Sequence, residues 1–384
     1  MLVGVDQCLV FLREEEHGGF TAYDAHGLSH ENMEVFHKLR FMPGEAPLFD
    51  EIATRQQHIV IENASESELI PKTMLHSFGI KSALAVPLIS KGNVLGALLV
   101  SYTRSPHRFL SRKISIIEGI AHQTAIAIEN ARLYQAALEQ ERTAQELRLA
   151  REIQISFLPE HCPSLPGWDI AADWHAARGV GGDFYDFIPL GRDRLGLVIA
   201  DVSDKGIPAA LFMSLSRTLV RASATKTRSP AKALQHVNKL LMTETRSGMF
   251  VTLFYAVLNW RTGSLLYANA GHNPPILWRG TESRADILTA KGIALGVIEQ
   301  ISLEERQITV DPGDVLVLYT DGVTEPINEQ EEEFGEERLI QAIASAATKA
   351  CPELVKAIHA AVSDFAGDRP QFDDYTLVAV KREK

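Results

Sequence analysis

Short apolar runs separated by turn residues fill the first part of the chain. Leu9–Leu12, residues 83–89 and residues 96–100 are rich in Val, Leu, Ile and Ala, a pattern typical of buried strands. The Lys-Gly-Asn sequence at 91–93 separates the last two runs and predicts a hairpin turn. A helix is expected to follow from about Ser111, because the Ser111 hydroxyl can cap the helix N-terminus. These elements predict a small α/β unit that ends near residue 130.

A long helix is predicted between this unit and the rest of the chain. Residues 120–158 contain neither Gly nor Pro, and Ala, Leu, Glu, Gln and Arg dominate residues 131–151. Gln140 and Arg151 interrupt an approximate heptad series of apolar residues at positions 126, 133, 137, 144 and 147. The pattern leaves two alternatives open. The helix either forms a coiled-coil homodimer or is a solvated spacer packed on its own domain.

Four aspartates in the remainder of the chain lie at the ends of apolar runs or in a glycine turn. Asp183 lies in GGDFYDF, Asp201 ends LGLVIAD, Asp321 ends DVLVLYTD, and Asp373 precedes DYTLVAV. Any one of them alone has an ordinary explanation, since Asp tolerates the backbone angles of strand-to-loop turns. Carboxylates that converge from several strand ends, however, would repel one another unless cations lay between them. The pattern therefore predicts hard divalent ions with oxygen ligands, magnesium or manganese.

Composition and charge narrow the class of protein. The chain has 384 residues, 46% hydrophobic and 23% charged, which is ordinary for a soluble protein of two or more domains. A net charge of −11 argues against a nucleic-acid partner, because phosphate backbones bind basic surfaces. The three cysteines are too few and too scattered for a disulfide framework or a zinc site, and they suit a reducing cytoplasm. No signal peptide and no apolar stretch of roughly 20 residues is found, so we expect a cytoplasmic protein without a membrane partner.

The N-terminal unit resembles the end of a GAF domain, a small α/β sensory module. The similarity is carried by IKSALAVPLISKGNVLGALLVSY (80–102) and FLSRKISIIEGIAHQTAIAIENARLY (109–134). GAF domains usually open with a helix, whereas this chain starts at a predicted strand. Either the N-terminus is truncated or the opening helix is absent. The resemblance implies a sensory role but identifies no ligand, and a nucleotide, haem or no ligand at all are the alternatives.

The C-terminal part, from about residue 150 to 380, resembles the PPM-type protein serine/threonine phosphatases, specifically their bacterial SpoIIE-like or RsbU-like branch. Nine blocks occur in the family order: AREIQISFLP (150–159), GGDFYDF (181–187), ADVSDKGIPAALFMS (200–214), MFVTLFYAVLN (249–259), YANAGHNPPIL (267–277), KGIALGV (291–297), PGDVLVLYTDGVTE (312–325), FGEERL (334–339) and DDYTLVAV (373–380). The resemblance implies an α/β fold class with three parts. These are a GAF-like sensory domain at 1–130, a helical linker at 131–158, and at 159–384 a PPM-type α/β sandwich of two central antiparallel sheets flanked by helices.

The same resemblance implies a catalytic site that holds two divalent ions, Mn²⁺ or Mg²⁺. Asp201 is the expected bridging ligand, and the Val202 carbonyl is expected to add a backbone oxygen to one metal. Asp321 and Asp373 are expected to complete the shell of the other metal. Asp183 is expected to contact that metal directly or through water.

Roles are also predicted for residues near these aspartates. Asp374 leaves the assignment of Asp373 ambiguous by one residue, and Asp373 is preferred because it aligns with the family's leading carboxylate. Glycines at 181, 182 and 322 are expected to let the backbone approach the metals and the phosphate closely. Gly206 is expected to open a helix with Pro208 in its first turn. His272 has a pKa suited to a general acid, but the AGHNP sequence around it more strongly indicates a turn landmark.

The chain departs from the family pattern at two positions. Many relatives carry an acidic residue where this chain has Gly179, and many carry glycine where it has Asp204. Neither position is a metal ligand by the resemblance.

The end of the long helix is expected to dock on the phosphatase core near the Asp183 turn. The residues expected to make this contact are Ile153, Phe157 and Leu158.

The function implied by the resemblance is a metal-dependent phosphatase acting on phosphoserine or phosphothreonine. Its implied partner is a phosphoprotein, a small anti-sigma-factor antagonist in bacterial partner-switching signalling, with regulation through the GAF domain. The alternative is a catalytically silent regulatory or binding module with the same fold. Presence of all four aspartates argues against that alternative, because an inactive relative does not depend on them.

Overall fold

The computed structural model describes residues 4–14, 16–177, 179–244 and 248–384. Its contacts separate two compact units, with the division between Arg142 and Thr143. Because this division falls inside one long helix, the boundaries at residues 130 and 158 stay predictions. In the described ranges, no helix is both long enough and apolar enough to cross a bilayer.

In the part of the N-terminal unit that the structure describes, one antiparallel sheet has six strands. The strands are β1 (Gln7–Arg13), β2 (Phe20–His26), β3 (Arg40–Phe41), β4 (Ile59–Ile61), β5 (Ser82–Ser90) and β6 (Asn93–Tyr102). Their spatial order is β3-β2-β1-β6-β5-β4. Lys91 and Gly92 join β5 to β6, with φ values of 50° and 82°. Two positive φ angles suit the right-handed twist of paired strands, and the predicted hairpin is confirmed.

Helices cover both faces of this sheet. They are α1 (His30–Phe36), α2 (Pro47–Arg55), a 3-10 turn at Ala64–Glu66, α3 (Lys72–Phe78) and α4 (Ser111–Phe157). Successive residues of β1 alternate between the two faces. Leu9 and Phe11 pack in a core with α1, α2 and α3. Val10 and Leu12 lie against a second core, which contains Ile117 of α4.

The helix α4 is continuous over 47 residues, which confirms the long helix predicted from the absence of Gly and Pro. It begins at Ser111, as expected. Two residues of the predicted heptad series, Ile126 and Leu133, are 37% and 52% exposed. Exposed apolar residues are compatible with a coiled-coil partner and with a spacer helix, so the homodimer stays a prediction.

The described residues of the C-terminal unit form two antiparallel sheets of five strands each. The strands are β7 (Trp168–His175), β8 (Phe184–Pro189), β9 (Arg194–Val202), β10 (Val251–Asn259), β11 (Ser264–Ala270), β12 (Ile276–Arg279), β13 (Arg284–Ile287), β14 (Glu305–Thr309), β15 (Val315–Tyr319) and β16 (Tyr375–Arg382). The first sheet has the order β14-β11-β10-β9-β8, and the second has the order β13-β12-β15-β16-β7. The central strands are apolar on both faces, as expected for buried layers.

Helices flank the two sheets on their outer faces. The helices are α5 (Ile207–Ala224), α6 (Pro230–Glu244), α7 (Asp321–Thr324), α8 (Gly335–Ala346) and α9 (Cys351–Ala366). Val315 and Val317 of β15 pack in a core with residues of α8 and α9. Leu316 and Leu318, on the opposite face of β15, pack in the core shared with the first sheet. Helices α5 and α6 pack on the first sheet, so the predicted sandwich of two sheets flanked by helices is confirmed.

Candidate active site

Four strands, two from each sheet, bring the predicted aspartates to one end of the sandwich. Asp183 directly precedes β8, and Asp201 is the penultimate residue of β9. Asp321 opens α7 just after β15, and Asp373 lies just before β16. The pairs β8–β9 and β15–β16 are antiparallel, so the start of one strand lies beside the end of its neighbour. The fold therefore collects carboxylates that are up to 190 residues apart in the sequence.

Asp183 is the most buried of these aspartates, with 1% of its surface exposed. Its Oδ2 accepts hydrogen bonds from the hydroxyls of Thr320 (2.6 Å) and Thr376 (2.7 Å). Burial, followed by the charges of Asp201 and Asp374, raises the pKa of Asp183 well above its usual range, and the two threonines oppose this rise. Both threonines belong to the second sheet's strand ends, so these bonds fix a carboxylate of the first sheet against the second.

Asp201 and Asp321 also have raised pKa values. Burial, and next the charge of Asp321, raises the pKa of Asp201 to about 7. Burial, and next the charge of Asp373, raises the pKa of Asp321 to about 6. Carboxylates that are this buried and this close favour protons because burial and mutual repulsion disfavour their charged forms, and the charge of Lys205 opposes this rise at Asp321 only in part. A set of converging carboxylate oxygens is the donor chemistry that hard divalent ions prefer, so the residues present fit the implied metals.

Asp373 and Asp374 have different surroundings, which bears on the predicted ambiguity. Asp374 accepts backbone hydrogen bonds from Ala177 (2.8 Å, to Oδ1) and Gly182 (2.6 Å, to Oδ2). Asp373 instead forms an ion pair with the ammonium group of Lys205, at 2.8 Å from its Oδ2. Both oxygens of Asp374 thus hold the loop before Asp183, whereas Asp373 is paired with a side chain that a cation can replace. This contrast supports the preference for Asp373 as a ligand.

Two of the predicted glycines allow this close packing. A Cβ atom at Gly181 would lie 2.3 Å from Oδ2 of Asp374, and one at Gly322 would lie 1.8 Å from the Asp374 carbonyl oxygen. No side chain fits at these distances, so glycine is required where the two sheets' loops cross. The close approach that the structure shows for Gly181 and Gly322 is to Asp374, and the expected approach to the metals and the phosphate stays a prediction.

The loop between β9 and α5 explains one departure from the family pattern. Asp204 has a φ of 75°, in the left-handed region that glycine adopts freely and that aspartate tolerates better than most residues. Gly206 follows with a φ of 80°, and α5 begins at Ile207 with Pro208 in its first turn. The predicted helix start is confirmed. The positive φ gives the physical reason why glycine is usual at position 204.

The end of α4 contacts the Gly181 turn through a residue that the sequence did not single out. Gln154 is 3% exposed, its Oε1 accepts from the Gly181 amide at 3.0 Å, and its Nε2 donates to the Gly181 carbonyl. Leu158 is buried in the core as predicted, but Ile153 and Phe157 are 59% and 39% exposed, so their predicted docking was wrong. Residues four apart share one helix face, and the face that contacts the core carries Gln154 and Leu158.

Gln154→Ala should lower kcat by roughly tenfold, because it leaves the buried N–H and C=O of Gly181 unpaired, at a cost of about 1–3 kcal/mol each. Gln154 hydrogen-bonds to the Gly181 backbone and not to the four aspartates, so we expect it to act by positioning the turn that carries Asp183. We expect the loss in kcat with little change in KM, measured on a generic phosphate ester. The matched control is Gln145→Ala on an exposed position of the same helix, which should behave like the parent. Equal kcat in both variants would contradict this role.

His272 is fixed in a buried turn and does not suit a proton-transfer role. It is 4% exposed, and its backbone N–H and C=O both bond to the side chain of Asn269 (2.7 and 2.8 Å). Its Nδ1 lies 2.9 Å from the Thr252 hydroxyl. Burial lowers the pKa of His272 to about 3, so the ring stays neutral near pH 7. These contacts favour the turn landmark over the general acid.

Comparisons with known proteins found relatives of both parts of the chain. The profile of Stage II sporulation protein E (SpoIIE) matches residues 191–383, and the GAF domain profile matches residues 1–128. The chain is similar to protein IcfG of Synechocystis sp., with 34% identity over 264 residues, which cover 62% of this chain and 41% of that protein. It is also similar to phosphoserine phosphatase RsbU of Bacillus subtilis, with 29% identity over 290 residues, or 73% of this chain and 85% of RsbU.

Solved structures share the fold of the C-terminal unit. The SiaA-PP2C domain of Pseudomonas aeruginosa superposes with a TM-score of 0.58 at 24% identity, covering 64% of this chain and 99% of that domain. The RsbU and RsbW domains of Rv1364c from Mycobacterium tuberculosis give a TM-score of 0.50 at 29% identity, covering 58% of this chain and 61% of that one.

Two antiparallel sheets between helices, with carboxylates gathered at one end, define the C-terminal unit as a PPM-type phosphatase domain. The chain belongs to the SpoIIE family, and its N-terminal unit is a GAF domain. Both resemblances drawn from the sequence are confirmed. The chain spans less than half the length of IcfG.

Proposed function

We propose that this protein is a metal-dependent phosphoprotein phosphatase that hydrolyses phosphoserine or phosphothreonine. The observation that carries the proposal is the convergence of Asp183, Asp201, Asp321 and Asp373 at one end of the sandwich, with raised pKa values for the three that are most buried. Relatives named phosphoserine phosphatases, RsbU and RsbP of Bacillus subtilis, support the substrate class.

The proposed site holds two ions, Mn²⁺ or Mg²⁺, with Asp201 as the shared ligand. Asp183, Asp321, Asp373 and the Val202 carbonyl supply the other protein oxygens. When bound, such ions activate water at neutral pH and neutralise charge on the phosphate. Without such ions, an anionic phosphate would meet four carboxylates, of which Asp373 is paired with the ammonium group of Lys205.

The surrounding residues keep this site in place. Thr320 and Thr376 hold one oxygen of Asp183, and that arrangement fixes which oxygen remains directed to the site. Asp374 and Gln154 hold the backbone of the preceding loop from two sides. Lys205 balances the charge of Asp373 at the edge of the cluster, where its side chain is 30% exposed. Their shared contribution is orientation of carboxylates before substrate binds.

The proposed substrate is a phosphorylated anti-sigma-factor antagonist of a bacterial partner-switching pathway. Support comes from the RsbU relationship and from Rv1364c, whose structure contains RsbU and RsbW domains in one protein. The GAF domain is proposed to deliver the regulatory input. Homodimerisation through residues 131–158 is a separate prediction that sedimentation of the intact chain would decide.

Phosphate release by the purified intact chain tests the proposed function. With Mn²⁺ present, the chain should release phosphate from p-nitrophenyl phosphate and from a serine-phosphorylated antagonist protein. The same antagonist phosphorylated on tyrosine serves as the control for substrate class. Turnover of the generic ester without turnover of the phosphoserine protein would contradict the substrate. No turnover of either substrate would favour the catalytically silent module.

A further inference from the structure

A second group of metal-ligating side chains lies on the outer face of the second sheet. Asp173 and His175 are two residues apart near the end of β7, so both point to the same face. Tyr375 of β16 lies directly opposite His175 in the strand register and shares that face. Helix α9 packs on this face and contributes His359. None of these residues belongs to the carboxylate cluster of the candidate active site.

The distances within this group suit ligands of one ion. His175 Nε2 lies 2.8 Å from Oδ1 of Asp173, and His359 Nδ1 lies 3.0 Å from Oδ2. One ligand atom from each of the three residues lies within 4.8 Å of the others. Zinc bonds to nitrogen and oxygen of about 2.0–2.2 Å place tetrahedral ligand atoms roughly 3.3–3.5 Å apart. Small rotations of three partly exposed side chains are enough to reach that spacing.

The donor set selects the class of ion. Two imidazole nitrogens and one carboxylate suit a borderline ion such as Zn²⁺, whereas Mg²⁺ and Mn²⁺ favour oxygen-rich sites. Three protein ligands leave a fourth position for water or an anion. The side chains of His175 and His359 are 45% and 41% exposed, so an ion can enter from solvent.

The aromatic ring of Tyr375 lines one side of this group of side chains. The ring of Tyr375 packs against both imidazoles, at centroid distances of 6.0 Å from His175 and 5.1 Å from His359. Tyr375 is 4% exposed, and its hydroxyl has no hydrogen-bond partner among the described residues. The Gln371 side chain donates to the His175 carbonyl at 3.0 Å and fixes the end of β7.

We propose that Asp173, His175 and His359 form a zinc-binding site that is separate from the catalytic carboxylates. The ion would link β7 to α9, and most of the C-terminal unit lies between these two elements in the sequence. The cysteine count did not predict any zinc site, because the donors here are histidine and aspartate. The site also borders β16, the strand that contributes Tyr375 to it and Thr376 to the candidate active site. Thr376, next to Tyr375, faces the other way and donates to Asp183.

Zinc binding to the intact chain, measured by competition with a chromophoric chelator, tests this site. Excess Mg²⁺ is present throughout to occupy the carboxylate cluster. We expect one tightly bound Zn²⁺ per chain. His359→Gln should weaken its affinity by more than about 100-fold, since loss of an outer-shell partner alone costs roughly 10–100-fold. His236→Gln, an exposed histidine of α6, should leave the affinity unchanged.

A second pair of variants keeps the result decisive. His175→Gln removes the other imidazole and should match His359→Gln, with both variants showing the parent's circular dichroism spectrum. Asp201→Asn should keep the zinc, because it alters only the carboxylate cluster. The proposal is overturned if the intact chain binds no zinc tightly, if both histidine variants bind it like the parent, or if Asp201→Asn loses it. Phosphatase activity is not a readout here, so this outcome is independent of the proposed function.

Discussion

Asp201→Asn should remove phosphate-ester hydrolysis almost completely, by roughly a thousandfold or more in kcat. Two bound ions supply several kcal/mol of transition-state stabilisation, and each 1.36 kcal/mol corresponds to about a factor of ten. Asp201 interacts with Asp183, Asp321 and Asp373, which makes it the carboxylate best placed to be shared. Asp183→Asn should cause a smaller loss, because its proposed contact is with one metal only. The measurement is kcat on p-nitrophenyl phosphate at saturating Mn²⁺.

The stability of the metal-free variant separates loss of chemistry from misfolding. The pKa of Asp201 is raised to about 7 from an ordinary value of 3.8, so the folded state binds the proton more tightly than the unfolded state. Metal-free parent should therefore lose stability as pH rises from about 4 to 7. Asparagine carries no charge, so the metal-free variant should be more stable than the parent at pH 7.5, on the order of 1–3 kcal/mol. The two should converge near pH 4.

Thermal unfolding after chelation provides this comparison, with Asp364→Asn as the matched control. Asp364 is an exposed aspartate of α9, and its replacement should change neither turnover nor the pH dependence. Near-parental turnover in Asp201→Asn would show that the site lies elsewhere. An inactive variant that is also less stable at pH 7.5 would indicate structural damage.

Removal of divalent ions should abolish hydrolysis, and Mn²⁺ or Mg²⁺ should restore it. Without cations, the clustered aspartates present negative charge to a negatively charged phosphate, and no described residue replaces two divalent ions. Protons compete for the same oxygens, since the pKa values of Asp201 and Asp321 are raised to about 7 and about 6. The Mn²⁺ concentration for half-maximal activity should therefore rise as the pH falls from 7.5 to 6.

Stepwise titration of Mn²⁺ into chelated and dialysed protein, at several pH values, measures both effects. Ca²⁺ serves as the control ion, because its larger radius and flexible coordination fit a compact phosphoryl-transfer site less well. Full activity in protein shown to be metal-free by elemental analysis would contradict the two-metal proposal. A half-maximal Mn²⁺ concentration that does not change with pH would contradict the assignment of Asp201 and Asp321 as ligands.

Much of this structure follows from local patterns in the sequence. Apolar runs predicted the strands β5 and β6, and the Lys91-Gly92 turn between them has the positive φ angles that such a hairpin requires. The stretch without Gly or Pro predicted α4. Aspartates at the ends of apolar runs were expected to converge, and the pairing of β8 with β9 and of β15 with β16 brings them together.

Side-chain contacts between distant segments were harder to predict. Ile153 and Phe157 are apolar but face outward, whereas the polar Gln154 is buried. Hydropathy alone predicts that Ile153 and Phe157 are buried and that Gln154 is exposed. It takes no account of hydrogen bonds, and here the Gln154 amide pairs with both backbone groups of Gly181. Nothing in the sequence around Thr320 and Thr376 predicted their hydrogen bonds to Asp183. These bonds form because two strand ends face the same carboxylate.

The sequence by itself predicted the strands β5 and β6, the long helix α4 and the convergence of four aspartates, because hydrophobic periodicity and turn chemistry are local properties. The resemblance of its motifs, and not their periodicity, indicated the SpoIIE family. Only the tertiary structure decided that Asp374 accepts from the amides of Ala177 and Gly182 while Asp373 pairs with Lys205, and that Asp173 and His175 meet His359. These outcomes depend on strand register and helix rotation. A shift of one residue in register moves a side chain to the other face of a sheet, and no local pattern fixes that choice across 180 residues of intervening chain.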